Sequence, residues 1–475
     1  MIKTRFAPSP TGKPHVGNIR SAIFAFLYAK SKNGEFILRI EDTDRERLVP
    51  EAVEYIEKSL KWLGIDWDDE KKVHQSKRLN IYQKYADILL VEGRAYKCFC
   101  SKERLTALRE SQTKEGKPPG YDSCCRDLVK EDIEKKEKEG QESVIRFKIP
   151  ESPKEIAWDD VVRGKVSIRT DIQEDFVIMK SDGYPTYNFA NVIDDHDMEI
   201  TNVIRGEEFI PSTPKHISLY MALCWEPPTF SHLPVIIGAD KKKLSKRHGD
   251  TAIMDYKDNG YLADTMLNFL TLLGWNDGTT QEIFTREELI KKFDLKRVGK
   301  SPAVFDIERL NWINGEKIRA MKIPDLTKEV EKFNPEFLQG KESELIERSL
   351  TVMQTRMVTL KDFTENADYF FKDIDYSAKT LIFGKSTKES TLKGLKGALK
   401  TTDGVNDIDS PDDASRLLKV AVESEGLSNG DVFWPVRVAL SGQEKSPSPN
   451  EIMWALRKDE TLKRIKDAIN KVESL

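Results

Sequence analysis

Arg5-Phe6-Ala7-Pro8-Ser9-Pro10-Thr11-Gly12-Lys13-Pro14-His15-Val16-Gly17-Asn18-Ile19-Arg20 is the stretch on which the fold turns. The residues up to Phe6 suit a short first strand. Behind the loop, Val16, Ile19, Ile23, Phe26 and Leu27 recur at helical spacing, so a long helix opens near His15. The Pro/Gly loop therefore joins the carboxyl end of a strand to a helix N-terminus. Free backbone N–H groups and the helix dipole favour an anion there. Gly17 in the first turn removes a Cβ that would hold a ligand off the backbone, and His15 can donate to phosphate oxygens. A Pro-rich turn before a helix is common by itself, so the context has to decide.

Moving outward, Phe36-Ile37-Leu38-Arg39-Ile40-Glu41 alternates as a second strand and delivers Glu41-Asp42-Thr43-Asp44 at its end. Pro50 opens a helix that runs to about Leu63 and stops at Gly64, and Arg78 to Glu92 forms another, closed by Gly93. This alternation predicts a parallel sheet with ligands at the strand C-termini. From about Ala95 to Asp194 the character changes to cysteines, a Pro/Gly loop at 114–120 and the charge run Glu131 to Glu142. That run reads as a solvated helix face or a mobile loop. Short alternating segments at Val144–Ile149, Val166–Thr170 and Asp175–Lys180 make the region an α+β insertion.

The sheet resumes at Glu199–Ile204, followed by a helix from about Pro214 to Leu223 and a strand at His232–Ile237. Helical periodicity dominates from Tyr261 onward, and beyond residue 322 the chain is charged and mostly helical. The expected organisation is thus a Rossmann-like α/β domain in two parts, 1–94 and 195–321. An α+β insertion at 95–194 interrupts it, and an all-helical domain at 322–475 follows.

The whole composition is compatible with this. A chain of 475 residues, 39% hydrophobic and 33% charged, can fill two or three domains. No apolar run is long enough to span a bilayer, and the N-terminus lacks a secretory pattern, so the expected location is the cytoplasm. Five cysteines in so long a chain suit a reducing compartment and a possible metal. A net charge of −4 argues against a non-specific nucleic-acid coat but leaves local basic patches open.

A second chemical stretch lies at Ala239-Asp240-Lys241-Lys242-Lys243-Leu244-Ser245-Lys246-Arg247-His248-Gly249-Asp250, a basic loop after an apolar strand. His15-Val16-Gly17-Asn18 resembles the His-Ile-Gly-His motif of class I aminoacyl-tRNA synthetases, with Asn18 replacing the second histidine. Lys243-Leu244-Ser245-Lys246-Arg247 resembles their Lys-Met-Ser-Lys-Ser motif. Each is weak alone; two in this order, a nucleotide domain apart, are specific. The resemblance runs over essentially the full length and is to bacterial-type glutamyl-tRNA synthetases. It implies a glutamate–tRNA ligase acting on ATP, L-glutamate and tRNA(Glu) as a monomer, with no membrane partner and with Mg²⁺ accompanying ATP. His15, Gly17, Asn18, Lys243, Ser245 and Lys246 would bind ATP, with His15, Lys243 and Lys246 acting in the chemistry. As a carboxylate attacks the α-phosphorus, charge accumulates on departing pyrophosphate. Lysines that meet this charge only in the transition state accelerate the step.

The same resemblance implicates Arg5, Ser9, Glu41, Tyr187, Asn191 and Arg205 in binding glutamate. Arg5 and Arg205 would clamp carboxylates, and Glu41 with Ser9 would hold the ammonium. A site built around buried charges rejects an analogue lacking the charge by roughly 10⁴-fold or more, so glutamine should be a poor substrate.

Cys98 and Cys100 would face one side of a strand spanning Tyr96 to Cys100. With Cys125 they suit a tetrahedral structural zinc, the alternative being buried free thiols. Many bacterial relatives look like Cys-x-Cys…Cys-x-His, where this chain has Asp127; others carry Tyr-x-x-x-Cys, which Tyr121 and Cys125 match. The fourth ligand is Tyr121 or Asp127. The last domain resembles a helical anticodon-binding domain, with family-like segments at 352–357 and 432–437. Three alternatives stand beside the main reading. One is an enzyme that also charges tRNA(Gln). Another is a catalytically silent tRNA-binding paralogue. A third, modification of a base within tRNA, is disfavoured because that family is short and lacks the helical domain.

Overall fold

The computed structural model describes residues 1–67, 72–244 and 252–475. The chain divides into two compact units, one of 1–255 with 266–306, the other of 256–265 with 307–475.

The first unit is built on a parallel sheet. Strand β1 (Lys3–Phe6) leads through the Pro/Gly loop to helix α1 (Val16–Ser31). Val16, Ile19, Ile23, Phe26 and Leu27 are all buried, as their spacing requires. Strand β2 (Glu35–Ile40), helix α2 (Ala52–Trp62), strand β3 (Val73–His74) and helix α3 (Leu79–Val91) follow. Gly64 and Gly93, with φ of +62° and +67°, end the two later helices. After the insertion come helix α6 (Tyr187–Asp197), strand β9 (Asn202–Gly206), helix α7 (Thr213–Ala222) and strand β10 (Thr229–Leu233). The sheet runs β10-β9-β1-β2-β3, and each neighbouring pair is parallel. Strand order reverses between β1 and β9, so the connections leaving their carboxyl ends part there, the place where open α/β sheets bind ligands.

The predicted strand His232–Ile237 is two strands. Pro234 lacks the N–H that would continue the ladder. β10 therefore ends at Leu233, and β11 (Ile236–Ile237) leaves the sheet to pair in parallel with β12 (Ala303–Val304).

The insertion contains strand β4 (Ala95–Cys98), helices α4 (Lys102–Lys114) and α5 (Lys130–Lys138), and strands β5 (Val144–Phe147), β6 (Glu155–Asp160), β7 (Gly164–Arg169) and β8 (Phe176–Met179). The strands form an antiparallel sheet β4-β5-β8 and a hairpin β6-β7. The charge run is helical as far as Lys138, in α5, which has no buried residue. Phe147, Phe176 and Ile178 pack with Tyr82 of α3, Phe189 of α6 and Leu219 of α7, so the insertion shares a core with the helices around it. The hairpin returns to the edge of the parallel sheet, where Val161 N–H donates to Phe230 O at 3.0 Å.

The second unit is helical, with long helices at Lys388–Asp403, Pro411–Glu425, Asn429–Ser441 and Pro449–Glu473 around one aliphatic and aromatic core. Arg356 pairs with Glu451 at 2.8 Å, and Trp434 Nε1 donates to Thr380 O at 2.9 Å. No described helix is long and apolar enough to cross a membrane.

Candidate functional site

A cavity of about 1120 Å³ opens at the strand-order reversal. Its lining includes Arg5, Ser9, His15, Gly17, Asn18, Glu41, Tyr187, Asn191, Arg205 and Lys243. Residues some 240 positions apart are therefore brought to one place. Ser245 and Lys246 lie outside the described residues.

His15 is the N-cap of α1. Its Nδ1 accepts from the Gly17 amide at 3.0 Å, so a neutral ring carries its proton on Nε2. That Nε2 is buried with no partner among the described residues. Burial, aided by the charge of Lys243, lowers the imidazole pKa and keeps the ring neutral. His15 thus offers a free N–H where the helix dipole already favours an anion. A Cβ on Gly17 would come within 3.3 Å of the ring.

Lys243 is exposed at the end of a tight return from β11: Leu244 N–H donates to Ile236 O at 3.1 Å and Gly238 N–H to Lys242 O at 2.8 Å. Buried Leu244 anchors that return. Ala252 bridges to His15, and Ile253 N–H donates to Pro14 O at 3.3 Å. The two motif regions are therefore neighbours.

Another side of the cavity combines buried acids and cations. Glu41, just beyond β2, accepts at Oε1 from Arg39 (3.3 Å) and Asn191 (2.9 Å), while Oε2 has no partner among the described residues. Burial raises the Glu41 pKa against the opposing pull of Arg39 and Asn191. The Oδ1 of Asn191 is buried and has no partner among the described residues. Two acceptors with spare capacity, one of them a carboxylate, suit an ammonium group. Ser9 lines the same space with its side chain exposed.

The two arginines differ. Arg5 forms a forked pair with Asp195, Nε–Oδ1 at 3.0 Å and Nη2–Oδ2 at 3.3 Å, so its charge is already balanced. Arg205, at the end of β9, is buried and has no acidic partner among the described residues. Its contacts are Tyr187 Oη (3.4 Å), Thr213 Oγ1 (2.8 Å), His216 Nδ1 (3.3 Å) and His232 Nε2 (3.1 Å). Phe209 and Phe230 flank it, with ring centroids 5.4 and 5.5 Å from Cζ. A buried cation without an anion is the natural seat of a carboxylate.

Asp195, Arg39, His216 and His232 escape sequence reasoning. One signal was present: Tyr187, Asn191 and Asp195 recur every four residues on α6, a polar stripe on one helical face. Asp160, which holds His232, has no local signature at all.

In the insertion the Sγ atoms of Cys98, Cys100 and Cys125 lie within 4.8 Å of one another. The expected strand to Cys100 ends at Cys98, because Ser101 caps α4 and the chain must turn. The turn still brings Cys100 Sγ to 3.6 Å from Cys125 Sγ. Tyr121 Oη is 3.3 Å from Cys98 Sγ and 3.9 Å from Cys100 Sγ, whereas Asp127 is exposed and outside the thiol group. Burial raises the Tyr121 hydroxyl pKa, and the Arg146 guanidinium lies over its ring at 3.8 Å.

Residues 1–312 match the model of the class I tRNA synthetase catalytic domain for E and Q, and residues 325–469 that of an anticodon-binding domain. A glutamate–tRNA ligase of Dehalococcoides mccartyi is 43% identical over 100% of this chain and 99% of its own. Glutamate–tRNA ligase 1 of Caldanaerobacter subterraneus is 42% identical over 99% and 98%. Among solved structures, a glutamate tRNA ligase from Elizabethkingia meningosepticum, in complex with its amino acid, matches with a TM-score of 0.88. It is 33% identical, and the match covers 99% of both chains.

Proposed function

The chain belongs to the class I tRNA synthetases for glutamate and glutamine, and we propose that its cavity activates L-glutamate with ATP and passes the glutamyl group to the 3′ end of tRNA(Glu). It is a ligase of the aminoacyl-tRNA synthetase class. The observation that carries the substrate assignment is Arg205, a buried guanidinium facing the cavity with no acidic partner among the described residues.

Arg205 receives the side-chain carboxylate of glutamate, with Tyr187 beside it. Glu41 and the free Oδ1 of Asn191 take the ammonium; Arg5, balanced by Asp195, shapes the pocket floor more than it supplies net charge. The α-carboxylate then attacks the α-phosphorus and pyrophosphate departs. His15 donates from Nε2 to phosphate oxygens at the amino end of α1, and Lys243, with Lys246, meets the charge on the leaving group. Positioning and charge stabilisation carry phosphoryl transfer without a general base. Mg²⁺ accompanying ATP would screen the charge of the phosphates. In the second step the terminal ribose hydroxyl attacks the glutamyl carbonyl and AMP leaves.

Three gathered thiols and a phenol fit the donor set of a tetrahedral zinc, so Cys98, Cys100, Cys125 and Tyr121 are the residues that would hold it. Bound there, the ion would cross-link β4 to the 121–125 loop. Residues 95–194 serve as the acceptor-end insertion and 322–475 as the anticodon reader. ATP–pyrophosphate exchange with purified tRNA tests the whole reading: glutamate should support exchange and glutamine should not. Aminoacylation of separated tRNA isoacceptors then decides whether tRNA(Gln) is charged as well. A silent paralogue would show no exchange with any amino acid.

A further inference from the structure

Arg205 is held from behind by groups that lie outside the sequence motifs. An arginine N–H can only donate, so His232 Nε2, 3.1 Å from Arg205 Nε, must be an unprotonated acceptor. The His232 proton then resides on Nδ1, which donates to Asp160 Oδ2 at 2.5 Å. The other oxygen of Asp160 is fully engaged, accepting from the backbone amides of Val162 (3.0 Å), Arg163 (2.9 Å) and His232 (3.2 Å). Asp160 reaches this place because the β6-β7 hairpin packs on the edge strand β10. His216 repeats the arrangement: Nδ1 accepts from Arg205, and Nε2 donates to Asn188 Oδ1 at 3.1 Å. Both histidines are buried.

Two needs are met at once. The guanidinium plane is fixed by acceptors on several of its edges, and none of those acceptors carries negative charge. A carboxylate in place of either histidine would orient Arg205 equally well but cancel the charge that an incoming carboxylate needs.

We propose that His232, locked in one tautomer by Asp160, is a positioning residue that presents Arg205 to the substrate's side-chain carboxylate, and that the Asp160–His232 pair is therefore a determinant of glutamate recognition. The inference rests on the reading of Arg205 as the side-chain carboxylate receptor.

Asp160→Asn tests it in the full chain with minimal change of shape. The asparagine oxygen stays with the three backbone amides, so its NH₂ faces His232 Nδ1. That moves the ring proton to Nε2, donor against donor with Arg205. Tautomer reversal should raise the KM for glutamate about tenfold to a hundredfold, the range for one buried polar group left unpaired, while the KM for ATP stays within about threefold. The double variant Asp160→Asn/His232→Gln restores an acceptor that has no tautomer to reverse. Its glutamate KM should fall back toward the native value. A purely structural role for Asp160 would give no such rescue. An unchanged glutamate KM in Asp160→Asn, an equal rise for ATP, or a double variant no better than the single one overturns the proposal. Arg205→Ala separates the two levels. If it leaves the glutamate KM unchanged, the carboxylate-receptor reading fails and takes this inference with it. If it raises that KM while Asp160→Asn does not, only the positioning role fails.

Discussion

Asp195 receives Arg5 at 3.0 Å and Arg39 at 2.7 Å, one buried carboxylate between two buried guanidinium groups. Burial alone would raise its pKa; the two cations overcome this and hold it at about 2. The acid balances the floor of the cavity from α6, and Arg39 extends the network to Glu41 and, at 3.8 Å, to Asp194.

Asp195→Asn should accordingly cost about 3–5 kcal/mol, because two buried cations lose a charged partner. Urea unfolding of native and variant protein measures it. The same group makes stability depend on pH. Its pKa is depressed in the folded state, so its stabilisation is complete above the unfolded carboxylate value of about 3.9 and is lost as pH falls toward about 2. Unfolding free energies whose acid limb is as steep in Asp195→Asn as in the native protein would contradict this assignment.

On the proposed reading, His15 both caps α1 and donates from Nε2 to phosphate. Asparagine is itself a good N-cap, so His15→Asn keeps the hydrogen bond to the first turn of α1 while removing the Nε2 donor. Thermal stability should hardly move. The rate of glutamate-dependent ATP–pyrophosphate exchange should drop by about 10²–10³, as for the loss of one preorganised donor. Equal loss in melting temperature and rate would mean that His15 acts only as a cap.

Some of this was legible in the residues and some was not. The strand–loop–helix at Arg5–Arg20 could be read because its apolar spacing changes sharply where the loop ends, and the parallel character of the sheet, though not its strand order, followed from the strand–helix alternation. The split of His232–Ile237 was signalled by Pro234, whose missing N–H outweighs the continuous apolar run. The support of Arg205 was not legible. It depends on Asp160 and His232, 72 positions apart in sequence and joined only because the hairpin folds back on the sheet edge. Nothing in the composition around Asp160 distinguishes it from Asp159. Likewise Arg5 and Arg205 look equivalent in sequence, and only the structure shows that one is balanced by an acid and the other is not.

Lys246, beyond the described residues, carries a kinetic expectation of its own. If it meets the pyrophosphate charge only as that charge develops, Lys246→Ala should lower the activation rate by about 10²–10³ and change ATP affinity much less. Steady-state kinetics would refute the role by showing a large rise in ATP KM at unchanged kcat.

The thiol group gives the last prediction. Sγ atoms gathered within 4.8 Å, on chain segments about 25 residues apart, suit a metal cross-link better than a set of independent buried thiols. The free-thiol state has its own signature: burial, reinforced by the neighbouring sulfurs, pushes Cys100 up to about 12, which disfavours the thiolate unless a cation is present. Elemental analysis of the purified chain should therefore find about one zinc per molecule. Cys98→Ser and Cys125→Ser should each abolish it, because a structural site needs its full ligand set. Tyr121→Phe should weaken retention against a chelator, whereas Asp127→Ala should not, since the phenol and not the carboxylate lies against the sulfurs. Strict dependence on Asp127 would move the fourth ligand to the alternative read from the sequence, and a zinc-free native protein would leave the cysteines as buried free thiols.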